Sequence, residues 1–168
     1  ITGKPPDVTP CLYRCRWFSV HEPQMWKKMA RTAEVHGVLV NYLTNNWNTS
    51  IASADPMGLV DMKRSDWSDL ILDAAKLRRS QLPELFRPGE MLGEVTESAA
   101  KLTGLRVGTL VIAGGGDGQC AGTGANIFKQ GRAYLNLGTA IVSGSYGVKY
   151  AIDPAWRTEM AVSEEGYV

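Results

Sequence analysis

The stretch that decides the fold is LVIAGGGDGQCAGTG, residues 110–124. It continues a short apolar run over residues 109–113, which is typical of a strand buried on both faces. Three glycines and Asp117 follow, and small residues from about 118 to 128 then predict a helix. A strand that passes through a glycine turn into a helix indicates an α/β fold. We therefore expect an α/β protein with a ligand site at this turn.

The turn itself favours an anionic ligand. Glycine has no Cβ, so a ligand can approach the backbone closely. The first N–H groups of the following helix have no partner within the helix and attract negative charge. Asp117 stands between these two features, and its role admits three interpretations.

In the first interpretation the turn binds a dinucleotide, because residues 116–121 satisfy G-x-G-x-x-A after a strand. Two observations weigh against it. Asp117 would place a carboxylate beside the pyrophosphate, and the acid expected about 20 residues later is missing. The next acid in the chain is Asp153. An NAD(P)-binding oxidoreductase domain is kept as the alternative function.

In the second interpretation Asp117 is a general base, which takes the proton of a sugar hydroxyl as that oxygen attacks the γ-phosphate of ATP. The chain has no G-x-x-x-x-G-K-[ST] element, so it is not a P-loop enzyme. In the third interpretation Asp117 is only the N-cap of the helix, a position that aspartate favours. Local spacing leaves both interpretations open.

Downstream, the pattern predicts strands. Gly131 turns the chain into a strand over residues 133–137, and a further strand over 140–146 follows the pair Gly138-Thr139. We expect these strands to be antiparallel. Gly138 and Thr139 would offer a backbone N–H and a hydroxyl to phosphates. The composition changes near Lys129, which indicates a boundary there.

Upstream, the sequence predicts helices and a loop. Residues 10–31 are expected to be helical with a break at Pro23, which suits the first turn of a new helix. Residues 44–53 are polar and predict a loop. Thr96 is predicted to cap a short helix that ends at Gly104.

A further helix is predicted to begin after Ser65, taken as its N-cap, and to end near Leu77. Its expected buried stripe is Trp67, Leu70, Ile71 and Ala74.

Composition excludes several classes of protein. The net charge of +1 gives no electrostatic footprint for nucleic acid. No apolar run approaches the roughly 18 residues that span a bilayer, and the polar N-terminus shows no signal peptide. The spacing of the cysteines argues against zinc and predicts free thiols, which suits a reducing cytoplasm.

Other polar residues receive structural interpretations. His21 and His36 have no carboxylate or cysteine partner at useful spacing and are expected to be surface or packing residues. Asp61, Asp66 and Asp69 are expected to be surface and helix-terminal charges, and we see no metal site in them.

Taken together, these motifs resemble those of the FGGY carbohydrate kinases, and of their xylulokinase-like members in particular. The resemblance covers residues 10–147 in order and spacing. Its pieces are residues 110–124, Gly131, residues 136–140 (NLGTA), 21–23 (HEP), 42–44 (YLT), 66–69 (DWSD), 82–83 (LP), 93–96 (GEVT) and 103–105 (TGL).

The resemblance implies a fragment of a two-domain actin-like ATPase (ribonuclease H-like) fold. Residues 1–128 would be the C-terminal part of the sugar-binding domain, and residues 129–168 the first strands of the ATP-binding domain. Asp117 matches the catalytic base of the family, and Gly138, Thr139 and Ala140 match the turn that holds the ATP phosphates. Substrate binding would involve Asp117, Gly118 and Gln119.

The chain departs from the family pattern at three points. The residue after the aspartate is Gly118 where Asn or Gln is common, with Gln119 one place later. The phosphate turn ends in Ala140 rather than Ser, so one hydroxyl is lost and the backbone donors remain. The resemblance implies that the remaining elements of each domain lie outside these 168 residues, so we expect the fragment by itself to be inactive.

The sequence as a whole predicts an ATP- and Mg²⁺-dependent kinase that phosphorylates a sugar hydroxyl, with a ketopentose such as xylulose as the expected substrate. Its partners would be the sugar and ATP, and we expect it to bind neither nucleic acid nor a membrane. We expect a cytoplasmic location, and the question of a homodimer stays open. A non-catalytic member of the kinase fold that binds sugar is the second alternative.

Overall fold

The computed structural model describes residues 1–129, 131–139, 141–162 and 165–168. The described helices are α1 (Cys11–His21), α2 (Pro23–Lys28), α3 (Val35–Thr44), α4 (Ile51–Ala54), α5 (Asp69–Ala75), α6 (Glu97–Thr103) and α7 (Asp117–Gly124), with 3-10 turns at Asp55–Met57 and Arg79–Gln81. The described strands are β1 (Asn48–Ser50), β2 (Val60–Asp61), β3 (Asp66–Trp67), β4 (Glu84–Phe86), β5 (Met91–Glu94), β6 (Leu110–Ile112), β7 (Ala133–Leu137) and β8 (Ile141–Ser145).

Local signals place several helix ends where the sequence predicts them. The α1–α2 break is confirmed, and Pro23 opens α2, where its missing N–H costs no hydrogen bond. Thr96 caps α6 by accepting a hydrogen bond from the Ala99 N–H at 3.3 Å. Gly104 ends that helix with a φ of +78°, a conformation that glycine adopts without strain.

The described strands pair two by two. β1 and β4 are parallel, whereas β2–β3, β5–β6 and β7–β8 are antiparallel. The β7–β8 hairpin runs from the pair Ala133–Ser145 to the pair Leu137–Ile141, which confirms the predicted antiparallel arrangement.

Two groups of buried side chains form the core. The larger group brings α1, α4 and α5 together with Met160, which comes from the end of the chain. The smaller one joins Val40 of α3, Leu92 of β5 and Ala113, the residue that precedes the glycine turn. The turn therefore rests on a packed layer made by α3 and the β5–β6 pair. Among the described helices, none combines the length and apolar character needed to cross a membrane.

The strand predicted for residues 109–113 is present, but the prediction that both of its faces are buried is wrong. A strand forms at Leu110–Ile112, but Leu110 is 55% exposed and Ile112 is 46% exposed. Within the described residues β6 pairs with β5, and Val111 packs on the smaller core group. One face of the strand is therefore covered, and the other faces outward.

The predicted cap of the 65–77 helix is wrong, and so are two of the four residues of its predicted stripe, Leu70 and Ala74, whereas Trp67 is buried and Ile71 packs on the larger core group. Ser65 has a φ of +52°, and the helix begins later, with Ser68 at the N-cap position of α5. The two residues between them pair with β2 as strand β3, because Trp67 is buried there and its indole N–H donates to the Pro83 carbonyl at 2.8 Å. The buried residues of α5 are consequently Leu72 and Ala75 rather than Leu70 and Ala74.

Residues 44–53 are not a loop. They contain β1 and most of α4. β1 pairs in parallel with β4, and Asn48 lies opposite Glu84, which is 36 positions further along the chain. A three-residue polar strand has no hydrophobic alternation of its own, so only its pairing partner reveals it.

Candidate active site

Asp117 is the first residue of α7, directly after the glycine turn. Its side chain is exposed, and its Oδ1 accepts a hydrogen bond from the Gly118 N–H at 2.8 Å. The helix begins one residue earlier than predicted and ends at Gly124 rather than near 128. A carboxylate at the first turn of a helix is held in place by the backbone and open to a ligand.

The N-cap interpretation of Asp117 is wrong, because Gly116 occupies that position. A glycine has no side chain with which to cap a helix. The cap is completed from the other direction, by Gln119, whose Oε1 accepts a hydrogen bond from the Gly116 N–H at 2.7 Å. The Asp117 carboxylate is therefore not needed to start its own helix.

Two of the three glycines are required by neighbouring protein atoms. A Cβ at Gly115 would lie 2.5 Å from Cγ2 of Val162, and one at Gly116 would lie 2.9 Å from Oε1 of Gln119. A Cβ at Gly114 would meet nothing within 4 Å. The glycine-rich composition is thus explained at two positions by close packing, and at Gly114 the backbone is open.

A polar cluster lies behind the turn. Ser50 Oγ donates to the Gly114 carbonyl, and the Gly114 N–H donates to His36 Nε2 at 3.4 Å. His36 Nδ1 lies 3.0 Å from Thr49 Oγ1, and the Thr49 hydroxyl donates to a carboxylate oxygen of Glu34. Both backbone polar groups of Gly114, its N–H and its carbonyl, are therefore bound by side chains from the α3–α4 region.

The expectation that His36 has no carboxylate partner is wrong. Its Nδ1 lies 3.8 Å from Oε1 of Glu34, and Thr49 connects the two groups. Burial lowers the pKa of His36, and the nearby Glu34 carboxylate opposes this shift. The neutral ring suits the geometry, because Nε2 must accept from Gly114 while Nδ1 carries the proton. The spacing of residues along the chain did not reveal this cluster, because Thr49 lies in β1 and His36 lies in α3.

Gln119 lies in the interior and is 1% exposed. Besides accepting from Gly116, it donates from Nε2 to the Met160 carbonyl at 3.0 Å. Both ends of its amide are used by backbone groups. Gly118, in contrast, has open space around its Cα, with the Tyr134 hydroxyl 4.0 Å from an ideal Cβ.

Tyr134 joins the β7–β8 hairpin to α7. Its hydroxyl donates to the Gly118 carbonyl at 3.4 Å, and its ring lies 2.6 Å from an ideal Cβ at Gly144. Burial raises the pKa of the Tyr134 phenol, with smaller contributions from the charges of Glu159 and Asp117. The base of the hairpin thus sits against the helix that carries Asp117.

Gly138 and Thr139 follow β7 and are exposed. They lie four and five positions beyond Tyr134, in the turn after Leu137, and β7 extends about 10 Å from Tyr134 to Leu137 at the usual rise per residue. The structure therefore places the predicted phosphate turn at the far end of the hairpin, away from α7. Ala140, the third residue predicted for this turn, lies outside the described residues.

The remaining candidates take structural places. Asp66 and Asp69 both face Arg79, Asp69 with Oδ1 at 3.7 Å from Nη1. Cys15 is buried, Cys11 is half-buried and Cys120 is exposed, all as free thiols, which confirms the prediction of unpaired cysteines.

Comparison with known proteins gives one family. Residues 1–124 match the model of the N-terminal domain of the FGGY family of carbohydrate kinases. An autoinducer-2 kinase of Klebsiella pneumoniae subsp. pneumoniae is 32% identical over 146 residues, which make up 87% of this chain and 26% of that protein. The xylulose kinase of Escherichia coli (strain K12) is 29% identical over 143 residues, 85% of this chain and 28% of that protein.

The fold leads to the same group. The crystal structure of xylulose kinase from Rhodospirillum rubrum superposes with a TM-score of 0.92 at 23% identity, over 99% of this chain and 34% of that one. The predicted α/β part of an actin-like ATPase fold is thereby confirmed. The chain spans about a quarter of the length of the curated relatives described above. The nicotinamide-binding alternative finds no support in these matches.

Proposed function

The chain belongs to the FGGY family of carbohydrate kinases, and on that premise we propose that it forms part of an enzyme that transfers the γ-phosphoryl group of ATP to a sugar hydroxyl. Residues 1–128 would contribute to the sugar side, and residues 129–168 would begin the ATP side. A cytoplasmic location and a homodimer stay predictions.

The proposal rests on the observation that the Asp117 side chain is exposed and is not needed to cap its helix. It is exposed at the first turn of α7, while Gln119 completes the helix cap. A carboxylate that the fold does not use for capping, and that the backbone nevertheless holds in place, suits a general base.

The reaction needs one proton transfer and one phosphoryl transfer. The Asp117 carboxylate takes the proton of the sugar hydroxyl, the hydroxyl oxygen forms a bond to the γ-phosphorus, and the bond between that phosphorus and the β–γ bridging oxygen breaks. ADP leaves, and Asp117 returns its proton to solvent. ATP enters as its Mg²⁺ complex, in which the ion neutralises charge on the phosphates.

Gly118, Gly138 and Thr139 would bind the two substrates. Gly118 leaves open space beside Asp117, in which a sugar hydroxyl can approach. The exposed Gly138 and Thr139 would donate a backbone N–H and a hydroxyl to the phosphates of ATP. Because these residues lie at the far end of the hairpin, we propose that the γ-phosphate reaches Asp117 when the β7–β8 hairpin closes towards α7.

For the substrate we propose a ketopentose such as xylulose. The relatives point to two sugar-like substrates, since one is named a xylulose kinase and another an autoinducer-2 kinase. ADP release by the full-length protein, measured across a panel of ketoses and with autoinducer-2, would identify the substrate.

The base assignment is tested by replacing Asp117 with Asn in the full-length protein. Sugar-dependent ADP release should fall by roughly 100- to 10,000-fold, the usual contribution of a general base. Asp69→Asn is the matched control, because Asp69 also stands in the first turn of its helix and its side chain is exposed. Retention of more than about a tenth of the wild-type rate in Asp117→Asn would contradict the proposal, since the expected loss is at least 100-fold.

A further inference from the structure

Gln119 connects the Asp117 turn to a segment from the end of the described chain. Its Oε1 accepts from Gly116, the residue before Asp117, and its Nε2 donates to the carbonyl of Met160. Since both ends of the amide are used and the side chain is 1% exposed, the interior bonds, rather than a sugar, define the position of Gln119.

The segment on the other side of this connection, residues 158–162, is itself fixed. The Met160 N–H donates to Oδ2 of Asp55, so both polar groups of the Met160 backbone are bound by side chains. The Thr158 carbonyl accepts from Lys4 Nζ. Val162 then packs directly on Gly115 of the turn.

A buried ion pair lies next to this segment. Lys4 Nζ lies 3.7 Å from Oδ2 of Asp55, and the two side chains are 2% and 0% exposed. Burial of both charges is costly unless each has partners. The Thr158 carbonyl accepts from Lys4 and the Met160 N–H donates to Oδ2 of Asp55, whereas Oδ1 of Asp55 has no hydrogen-bond partner among the described residues. The segment is therefore bound by Lys4 and Asp55 on one side and by the Asp117 turn on the other.

We propose that Gln119 is a positioning residue for catalysis, which sets the direction of the Asp117 carboxylate by holding Gly116 at a fixed distance from Met160. This inference rests on the proposed function, because it assumes that Asp117 is the base. Asp117 follows Gly116 directly, and loss of the Gln119 bonds frees the N–H of Gly116 and thus the entry of the chain into α7. A misplacement on the order of 1 Å costs a catalytic group roughly 100-fold in rate.

The chain contains a matched control in Gln81. This residue is 3% exposed, its Oε1 accepts from the Arg78 N–H three residues earlier at 2.9 Å, and its Nε2 donates to the Met29 carbonyl at 2.8 Å. Its bonds are of the same kind as those of Gln119, but neither of its partners belongs to the Asp117 turn. The loss of stability that follows from removing a buried glutamine should therefore be similar at the two positions.

The experiment compares Gln119→Met with Gln81→Met in the full-length protein, with sugar-dependent ADP release and thermal unfolding as measurements. Both variants should lower the unfolding midpoint to a similar extent. Gln119→Met should also lower kcat by about 10- to 100-fold, with the KM of the sugar within about two-fold of wild type, whereas Gln81→Met should keep the wild-type kcat. Gln119→Glu, which keeps an acceptor for Gly116 and loses the donor to Met160, should likewise lose kcat and provides a second variant if the first does not fold.

Two results would overturn the positioning role. An equal kcat in the Gln119 and Gln81 variants would leave Gln119 with a purely structural role. A raised KM for the sugar with an unchanged kcat would make it a direct sugar contact. Asp117→Asn in the same assay separates this inference from the proposed function: an active Asp117→Asn removes both, whereas an inactive Asp117→Asn with a fully active Gln119→Met removes only the positioning role.

Discussion

Each glycine of the Gly114–Gly116 turn has a different neighbour. The Gly114 peptide is bound by His36 and Ser50, whereas Gly115 and Gly116 are packed against Val162 and Gln119. Glycine-rich turns at ligand sites are usually attributed to ligand approach. In this turn, two of the glycines are needed for protein packing.

The contact between Gly115 and Val162 gives a prediction at the scale of single residues. Gly115→Ala places a methyl group 2.5 Å from Val162 Cγ2, and overpacking of this kind costs typically 1–3 kcal/mol. The unfolding midpoint and kcat should both fall. Adding Val162→Ala removes the clashing methyl groups and should restore much of both.

Gly124→Ala provides the control, because Gly124 is the last residue of α7, the helix that follows the turn, and nothing lies within 4 Å of its ideal Cβ. It should leave kcat unchanged. If Val162→Ala worsened the Gly115→Ala variant instead of rescuing it, close packing would not explain the glycine.

Among the elements, the β7–β8 hairpin differs most from the rest of the chain. Its apolar residues Leu135, Leu137 and Ile141 are 60%, 72% and 73% exposed, and its described side-chain link to α7 passes through Tyr134. These side chains are exposed within the described residues, and the chain spans about a quarter of the length of its relatives. The closure proposed above would bring the turn of this hairpin towards α7.

The turn of this hairpin provides the prediction at this scale. Thr139→Val removes the hydroxyl and keeps the shape, so the KM for ATP should rise by about 10- to 150-fold, as expected for one lost hydrogen bond to a charged group. The KM for the sugar should stay near the wild-type value. Ser145→Ala, at the other end of β8, is the control; equal effects of the two changes on ATP would argue against a phosphate role for Thr139.

The same elements illustrate what local sequence can predict. The bounds of β7 and the cap of α6 were predicted correctly because turn glycines and capping residues act within a few positions. β3 was missed because its formation depends on β2 and on the contact of Trp67 with Pro83, which lies 16 positions away.

At the scale of the whole molecule, the two ends of the described chain lie together. The Tyr150 hydroxyl donates to the Ile1 carbonyl, and that of Tyr167 donates to the Met62 carbonyl. Lys4 and Asp55 are buried between these parts. The end of the chain therefore belongs to the same packed unit as its beginning.

This junction predicts how stability depends on pH. Burial raises the pKa of Asp55 to about 7, against the opposing effect of Lys4. Between about pH 4 and 7 the folded protein keeps a proton that the unfolded chain has lost, so its stability should fall as the pH rises through this window. Above pH 7 the contribution of Asp55 should be constant.

Thermal unfolding midpoints across this pH range provide the measurement. Asp55→Asn should remove the decline, whereas Lys4→Met should extend it to higher pH, because the carboxylate then loses the cation that favours its charged form. An Asp55→Asn variant with the same pH dependence as wild type would show that another group causes the decline.

Local sequence patterns were sufficient to predict the strand–turn–helix unit, the place of Asp117 at its centre, and the family pattern along the chain. These features depend on short-range preferences of glycine, proline, threonine and apolar runs, which act between residues close together in the chain. Only the tertiary structure decided that Gln119 rather than Asp117 caps α7, that Val162 requires Gly115, and that Thr49 connects His36 to Glu34. The residues of the connections between Gly115 and Val162, and between Gln119 and Met160, lie more than 40 positions apart, and packing at that distance leaves no periodicity or spacing in the sequence from which it could be predicted.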